Sequence, residues 1–100
     1  MKKKIINGVR IFKLKPFYDF RGKYIETFNK KEFKKNSKVN FVQDDISMSK
    51  MGILRGFHGD QKTWKFFTCL SGRIQFAVIN FDKKSKYFKQ NNYIILDQNS

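Results

Sequence analysis

One cysteine, one proline, one histidine and one tryptophan are all that this chain of 100 residues holds of those four types, and each scarcity closes a line of explanation. With Cys69 alone, neither a disulfide framework nor a cysteine-based metal site is possible, and a reducing compartment fits. With His58 alone, a two-histidine ligand set cannot form, and no metal or other cofactor is expected. Long apolar runs are missing as well. The basic start Met1-Lys2-Lys3-Lys4-Ile5-Ile6 is broken at once by Asn7, Gly8 and Arg10, which excludes a signal peptide's apolar segment, and nothing approaches the ~20 apolar residues of a bilayer span. A soluble, cytoplasmic protein with no membrane partner is expected.

Acidic residues are few too, 8 against 22 basic ones, for a formal net charge of +14. Only Arg10, Arg21, Arg55 and Arg73 are arginine. Nucleic-acid sites favour arginine and gather their charge on one face, whereas lysine here runs from Lys2 to Lys89. The excess therefore reads as a solvating surface that attracts anions such as nucleotide phosphates, and nucleic acid is not an expected partner. What the chain does have is apolar mass, with 40% hydrophobic residues and 12 phenylalanines. That composition belongs to a folded chain, and the length to a single domain over residues 1–100 without repeats or linkers.

Periodicity points to short strands. Val9 to Leu14 reads as a strand ending at Pro16, Asp19 to Gly22 as a turn, and Tyr24 to Phe28 as a returning strand, the two forming a hairpin. Asn29, with Glu32 three residues on, starts a helix of one or two turns in the manner of a capping box. Phe41 to Asp44 and Ile46 to Ser49 read as short strands, Lys50-Met51-Gly52 as a turn and Ile53 to Phe57 as the next strand. Thr63 to Leu70 and Arg73 to Phe81 are expected to pair across a Ser71-Gly72 turn, with Ile74, Phe76 and Val78 on one face. Asp82 to Ser85 is a further turn and Tyr93 to Leu96 a last strand. Many short strands with one short helix predict an all-β antiparallel sandwich or barrel.

The stretch with most chemistry is Met51-Gly52-Ile53-Leu54-Arg55-Gly56-Phe57-His58-Gly59-Asp60. Arg55 can fix an anionic group, and His58 is the one side chain with an unperturbed pKa near neutrality. In a regular strand, residues three apart point to opposite faces. The pair can share a site only if the backbone is irregular from Gly56 to His58, as a glycine inside a strand often signals. On these residues alone, a solvated Arg55 and an ordinary turn histidine remain the alternative.

Several ordered blocks, namely Phe17-Tyr18-Asp19-Phe20-Arg21-Gly22, Tyr24-Ile25-Glu26-Thr27-Phe28, Phe41-Val42-Gln43-Asp44-Asp45, Gly52-Ile53-Leu54-Arg55-Gly56-Phe57-His58 and Lys65 through Cys69, stand at matching separations in one family. The chain resembles the cupin-fold nucleotide-sugar epimerases of the dTDP-4-dehydrorhamnose 3,5-epimerase type from Gly8 to about Leu96. The resemblance implies a cupin-like antiparallel jelly roll (a double-stranded β-helix). It implies an isomerase acting on a nucleotide-diphosphate 4-keto-6-deoxy sugar in deoxysugar, capsule or lipopolysaccharide precursor synthesis. His58 would remove a proton next to the 4-keto group and Lys65 would help hold the enolate. Arg55 and Gln43 would contact sugar and phosphates, and Phe17, Arg21 and Glu26 would act across a homodimer interface.

The chain also departs from that family. Gly59-Asp60 follows the histidine where the rhamnose enzymes tend to have Tyr-Gln, the loop from His58 to Lys65 is shorter, and Asp45 replaces Asn, placing a negative charge near the sugar. These features resemble the epimerases of capsular heptose pathways. Full members run to nearly twice this length, and the further half supplies a tyrosine acid and an acidic partner for the histidine, so the domain is expected to be incomplete at its C-terminus. The other readings are a non-catalytic basic β-module and an inactive truncated paralogue, binding nucleotide sugar, nucleic acid or a full-length partner. Each site residue also has an ordinary reading: Lys65 as a solvated strand lysine, Arg21 with Glu26 as a surface ion pair, Trp64 and Phe66 as core, and Cys69 as packing.

Overall fold

The computed structural model describes residues 6–35 and 37–98; the basic segment 1–5 lies outside them. Regular structure runs β1 (Pro16–Asp19), β2 (Gly22–Ile25), α1 (Lys30–Lys34), β3 (Arg73–Ile79) and β4 (Asn91–Asp97). The strands form two separate antiparallel two-stranded sheets, β1 with β2 and β3 with β4. The architecture is β-type with one short helix, as its composition implied. The chain divides into two compact units, one of Met1–Thr27 with Phe67–Ser100 and the other of Phe28–Phe66.

The first hairpin forms, but its first strand is shifted. Pro16 opens β1 instead of ending the strand before it, opposite Ile25, with Phe17 across from Tyr24 and Asp19 across from Gly22. Proline is tolerated at the first residue of an edge strand because no ladder donor is required there. The turn tightens to Phe20 and Arg21 because the Asp19 carboxylate accepts the Arg21 backbone N–H at 2.9 Å. It also accepts the guanidinium Nη2 at 2.6 Å. Gly22 leaves the turn at φ +130°, a value open to glycine and rarely to other residues.

In the same unit, β3 pairs with β4 and not with the Thr63 to Leu70 segment. Ile74 stands across from Leu96 and Phe76 from Ile94, so the expected apolar face of β3 is shared by its partner over those two pairs, while Val78 faces Asn92. The Phe67 ring packs on Phe76 with centroids 4.6 Å apart. The turn expected at Ser71-Gly72 is found, with Gly72 at φ +81°. The glycine serves a turn onto β3, with its N–H bonded to the Gln98 side chain at 2.9 Å, and not a hairpin with residues 63–70. Thr63 to Leu70 makes no ladder, and neither do Val9 to Leu14, Phe41 to Asp44, Ile46 to Ser49 and Ile53 to Phe57. All five have strand composition, but a ladder needs a second strand at hydrogen-bonding distance, which local propensity does not supply.

The unit Phe28–Phe66 is built on rings. Helix α1 starts as expected, with the Asn29 side chain accepting the Glu32 N–H at 3.1 Å. The Glu32 carboxylate turns forward to Lys35 Nζ at 3.1 Å. The helix exists to place Phe33, 9% exposed, at the centre of four phenylalanines. Its ring centroid lies 5.5 Å from Phe28, 5.3 Å from Phe41 and 5.7 Å from Phe66, in tilted and edge-on arrangements. Those separations and angles are the ones aromatic quadrupoles favour. Phe66, expected in the core, is half-buried within the cluster, whereas Trp64, expected there too, is exposed. Replacing Phe33 by alanine is expected to cost about 3 kcal/mol in urea unfolding, while Phe20→Ala, at a ring 98% exposed, stays within about 0.5 kcal/mol.

Candidate functional site

The phenylalanine cluster anchors the segment that carries most of the chemistry. Phe41 and Phe66 touch within it, centroids 6.0 Å apart, so residues 42–65 form a long excursion whose ends are tied together. Gln43, Asp45, Arg55, His58 and Lys65 all lie on this excursion and are exposed. Phe17, Arg21 and Glu26 belong to the other unit, in and just after its first hairpin.

Two predicted site residues are joined directly. Gln43 Nε2 donates to Asp45 Oδ2 at 3.0 Å, as residues two apart in extended chain can, since they share a face. Arg55 folds back on the preceding turn: Nε donates to Ser49 Oγ at 2.8 Å and Nη2 to the Met48 carbonyl at 3.4 Å. That turn is the expected one at Lys50-Met51-Gly52, with Gly52 at φ +81° and the Ile53 N–H bonded to the Lys50 carbonyl at 3.3 Å. The irregular backbone expected between Arg55 and His58 is also present. Gly56 sits at φ +141° with open space where a Cβ would stand, so it is the backbone conformation and not crowding that asks for glycine.

Between His58 and Lys65 the chain is turned by Asp60, for which no structural role was expected. Its carboxylate accepts the Lys62 N–H at 2.8 Å, the Thr63 N–H at 2.7 Å and the Thr63 hydroxyl at 2.8 Å. The signal was there in the Asp-x-x-Thr spacing, which lets one short carboxylate satisfy a whole turn. The Thr63 hydroxyl first, then the two amides, hold the Asp60 carboxyl below its ordinary value, with a smaller contribution from the Lys65 charge. His58 and Lys65 flank this turn.

In the hairpin unit, Arg21 pairs with Asp19 and not with Glu26. Hydrogen bonding to Arg21 lowers the Asp19 pKa and raises that of the guanidinium. Phe17 is exposed beside Lys15, whose Nζ lies 5.6 Å from the ring centre. Cys69 is half-buried outside any strand, its Sγ 3.5 Å from the Ser71 carbonyl oxygen.

Hollows are present among the described residues. One of about 230 Å³ is lined by Phe28, Lys30, Phe33, Val39, Asn40, Phe41 and Val42. Another, of about 50 Å³, lies beside Cys69, Lys23 and Gln98. Neither of these two includes His58 or Lys65, both of which are exposed, so the described residues of this one chain do not wall those two groups from water. Among the described residues, no group of three or more His, Cys, Asp or Glu could hold a metal, and no helix is long and apolar enough to cross a membrane.

A β-type protein with an arginine, an imidazole and a lysine on one ring-anchored excursion is the class this geometry defines. Residues 3–100 match the family model described as dTDP-4-dehydrorhamnose 3,5-epimerase, and the chain belongs to that family. It is 38% identical over 88 residues to the dTDP-4-dehydrorhamnose 3,5-epimerase of Shigella flexneri, covering 83% of this chain and 49% of that one. Against the enzyme of that name from Salmonella typhimurium LT2 the figures are 36% over 93 residues, 88% and 51%. Against the one from Pseudomonas aeruginosa PAO1 they are 40% over 89 residues, 85% and 49%. The chain thus spans about half the length of the curated relatives it matches. No solved structure matches it significantly.

The Asp60 turn gives a pH prediction. A carboxyl whose folded pKa is depressed stabilises the turn fully above its ordinary value and loses that contribution as pH falls through the lower folded value. The amide chemical shifts of Lys62 and Thr63, followed by NMR, are therefore expected to hold through the ordinary carboxylate range and move together only at lower pH. A midpoint at the ordinary aspartate value would mean that the three bonds do not form.

Proposed function

We propose that this chain is part of an isomerase acting on a nucleotide-diphosphate-linked 4-keto-6-deoxy sugar. Its proposed step is removal of a proton from a carbon beside the ketone. The observation that carries the reading is the match of residues 3–100 to the epimerase family, with His58 as the one imidazole inside it. A carbon acid next to a ketone is within reach of a neutral imidazole, because the departing electron pair is delocalised onto the carbonyl oxygen. His58 takes the proton, and the Lys65 ammonium stabilises the negative charge that develops on that oxygen. Arg55 and Gln43 bind sugar and phosphates, and Asp45 holds the Gln43 amide in place through the bond described above. No metal or organic cofactor enters this step.

A homodimer is part of the same proposal, with Phe17, Arg21 and Glu26 of one copy reaching the sugar bound by the other. The exposure of the 42–65 excursion supports it: Val42, Met48 and Leu54 are 95%, 87% and 93% exposed. Large apolar side chains left this open are the kind of surface that a second chain covers. The complete scaffold in this reading is a cupin-type jelly roll, working in the cytoplasm, where the lone thiol of Cys69 stays reduced.

The first test is solvent exchange. Incubated in heavy water with a dTDP-linked 4-keto-6-deoxy sugar, the wild-type chain is expected to place deuterium at carbon three or five, and His58→Ala to slow exchange by about a hundredfold or more. Equal exchange by both would remove His58 from the role of base. The second is sedimentation equilibrium, where a two-chain mass is expected. A monomer at every concentration would leave Phe17, Arg21 and Glu26 without the proposed role.

A further inference from the structure

Among the strongly charged elements that the proposed site leaves unused is the loop of residues 80–90 that closes the β3–β4 hairpin. It carries Lys83, Lys84, Lys86 and Lys89, all exposed, against the single acid Asp82. The loop holds its own shape. Its neck is closed by the Lys89 N–H on the Asn80 carbonyl at 2.7 Å and the Asn80 N–H on the Gln90 carbonyl at 2.8 Å. Beyond the neck, the Ser85 N–H reaches the Asp82 carbonyl at 3.0 Å and the Phe88 N–H the Ser85 carbonyl at 3.2 Å. The Asp82 carboxylate accepts the Lys84 N–H at 3.0 Å, so the one acid is turned toward backbone. The rings of Phe81 and Phe88 stack, centroids 5.9 Å apart and 25° from parallel, and Phe81 remains 69% exposed.

We propose that this loop docks on anionic lipid headgroups and holds the protein against a membrane surface of that charge. It lies at the end of a two-stranded ribbon, and none of its residues lines either hollow. Single-stranded nucleic acid is held in grooves that track its backbone, and its phosphates are best matched by arginine forks. This loop has neither. Lysine ammonium groups act as point charges on a diffuse anionic plane without needing a fixed partner geometry. An exposed phenylalanine among them adds an apolar group able to enter the headgroup boundary. Because the loop is already ordered by its own bonds, docking costs little further conformational freedom. The sequence led to an expectation of no membrane partner because a spanning segment is lacking, and a peripheral contact needs none.

The test is co-sedimentation of the whole chain with vesicles of phosphatidylcholine alone or with roughly one-third phosphatidylglycerol. Binding is expected only to the anionic vesicles. The triple variant K83Q/K84Q/K86Q is expected to weaken it about a hundredfold, at about fivefold for each lysine. An equal loss of charge on the helix, K30Q/K31Q/K34Q, is the control and is expected to leave most binding intact; circular dichroism checks that both variants keep the fold. Equal binding to neutral vesicles, or equal weakening by the two triple variants, overturns the proposal, the latter because net charge alone would then explain the attraction. So does tighter binding to a single-stranded oligonucleotide than to the anionic vesicles, if the loop variant abolishes it.

Discussion

Four phenylalanine rings in mutual contact are what the excursion carrying His58 depends on. Phe28 and Phe66 are the first and last residues of their unit, and both meet Phe33 and Phe41. Among the described residues between them stand one helix of five residues and no strand. With so few backbone hydrogen bonds, it is ring packing that closes the path of the chain. A side chain such as Lys65, adjacent to Phe66, inherits its position from that packing.

Within the excursion, order comes from polar groups acting over short spans. Asp60 collects three donors from Lys62 and Thr63. Arg55 is tied to Ser49 and Met48, and Gln43 to Asp45. Each contact joins residues at most seven apart in sequence. They fix local turns but cannot enclose a substrate, which needs surfaces brought from far along a chain or from a second one. The residues proposed for the chemistry are therefore held in local shape while their faces remain open, and a reaction that must exclude water cannot be completed by these contacts alone.

Some of this was legible beforehand because its causes are local. Asn29 three residues before Glu32 announces a cap, Gly52 and Gly72 announce turns at positive φ, and Gly56 announced the irregular path to His58. The apolar alternation of β3 was readable from Ile74, Phe76 and Val78. What misled was treating strand composition as strand formation: Thr63 to Leu70 has the right residues and no ladder, and β3 found β4 instead. The turn read at Asp19 to Gly22 did form, while the strand leading into it begins at Pro16 and not before it.

The residues themselves determined the family, the β character, the short helix and the impossibility of a disulfide within the chain, since each follows from identities and spacings that no conformation can alter. Only the tertiary structure decided which strands pair, that Phe33 and not Trp64 is central, that Arg21 pairs with Asp19, and that His58 stands in solvent. Those outcomes depend on contacts between residues distant in sequence, or on which of several equally near partners a side chain reaches. Such choices are settled by the free energy of the packed whole and not by any segment read alone.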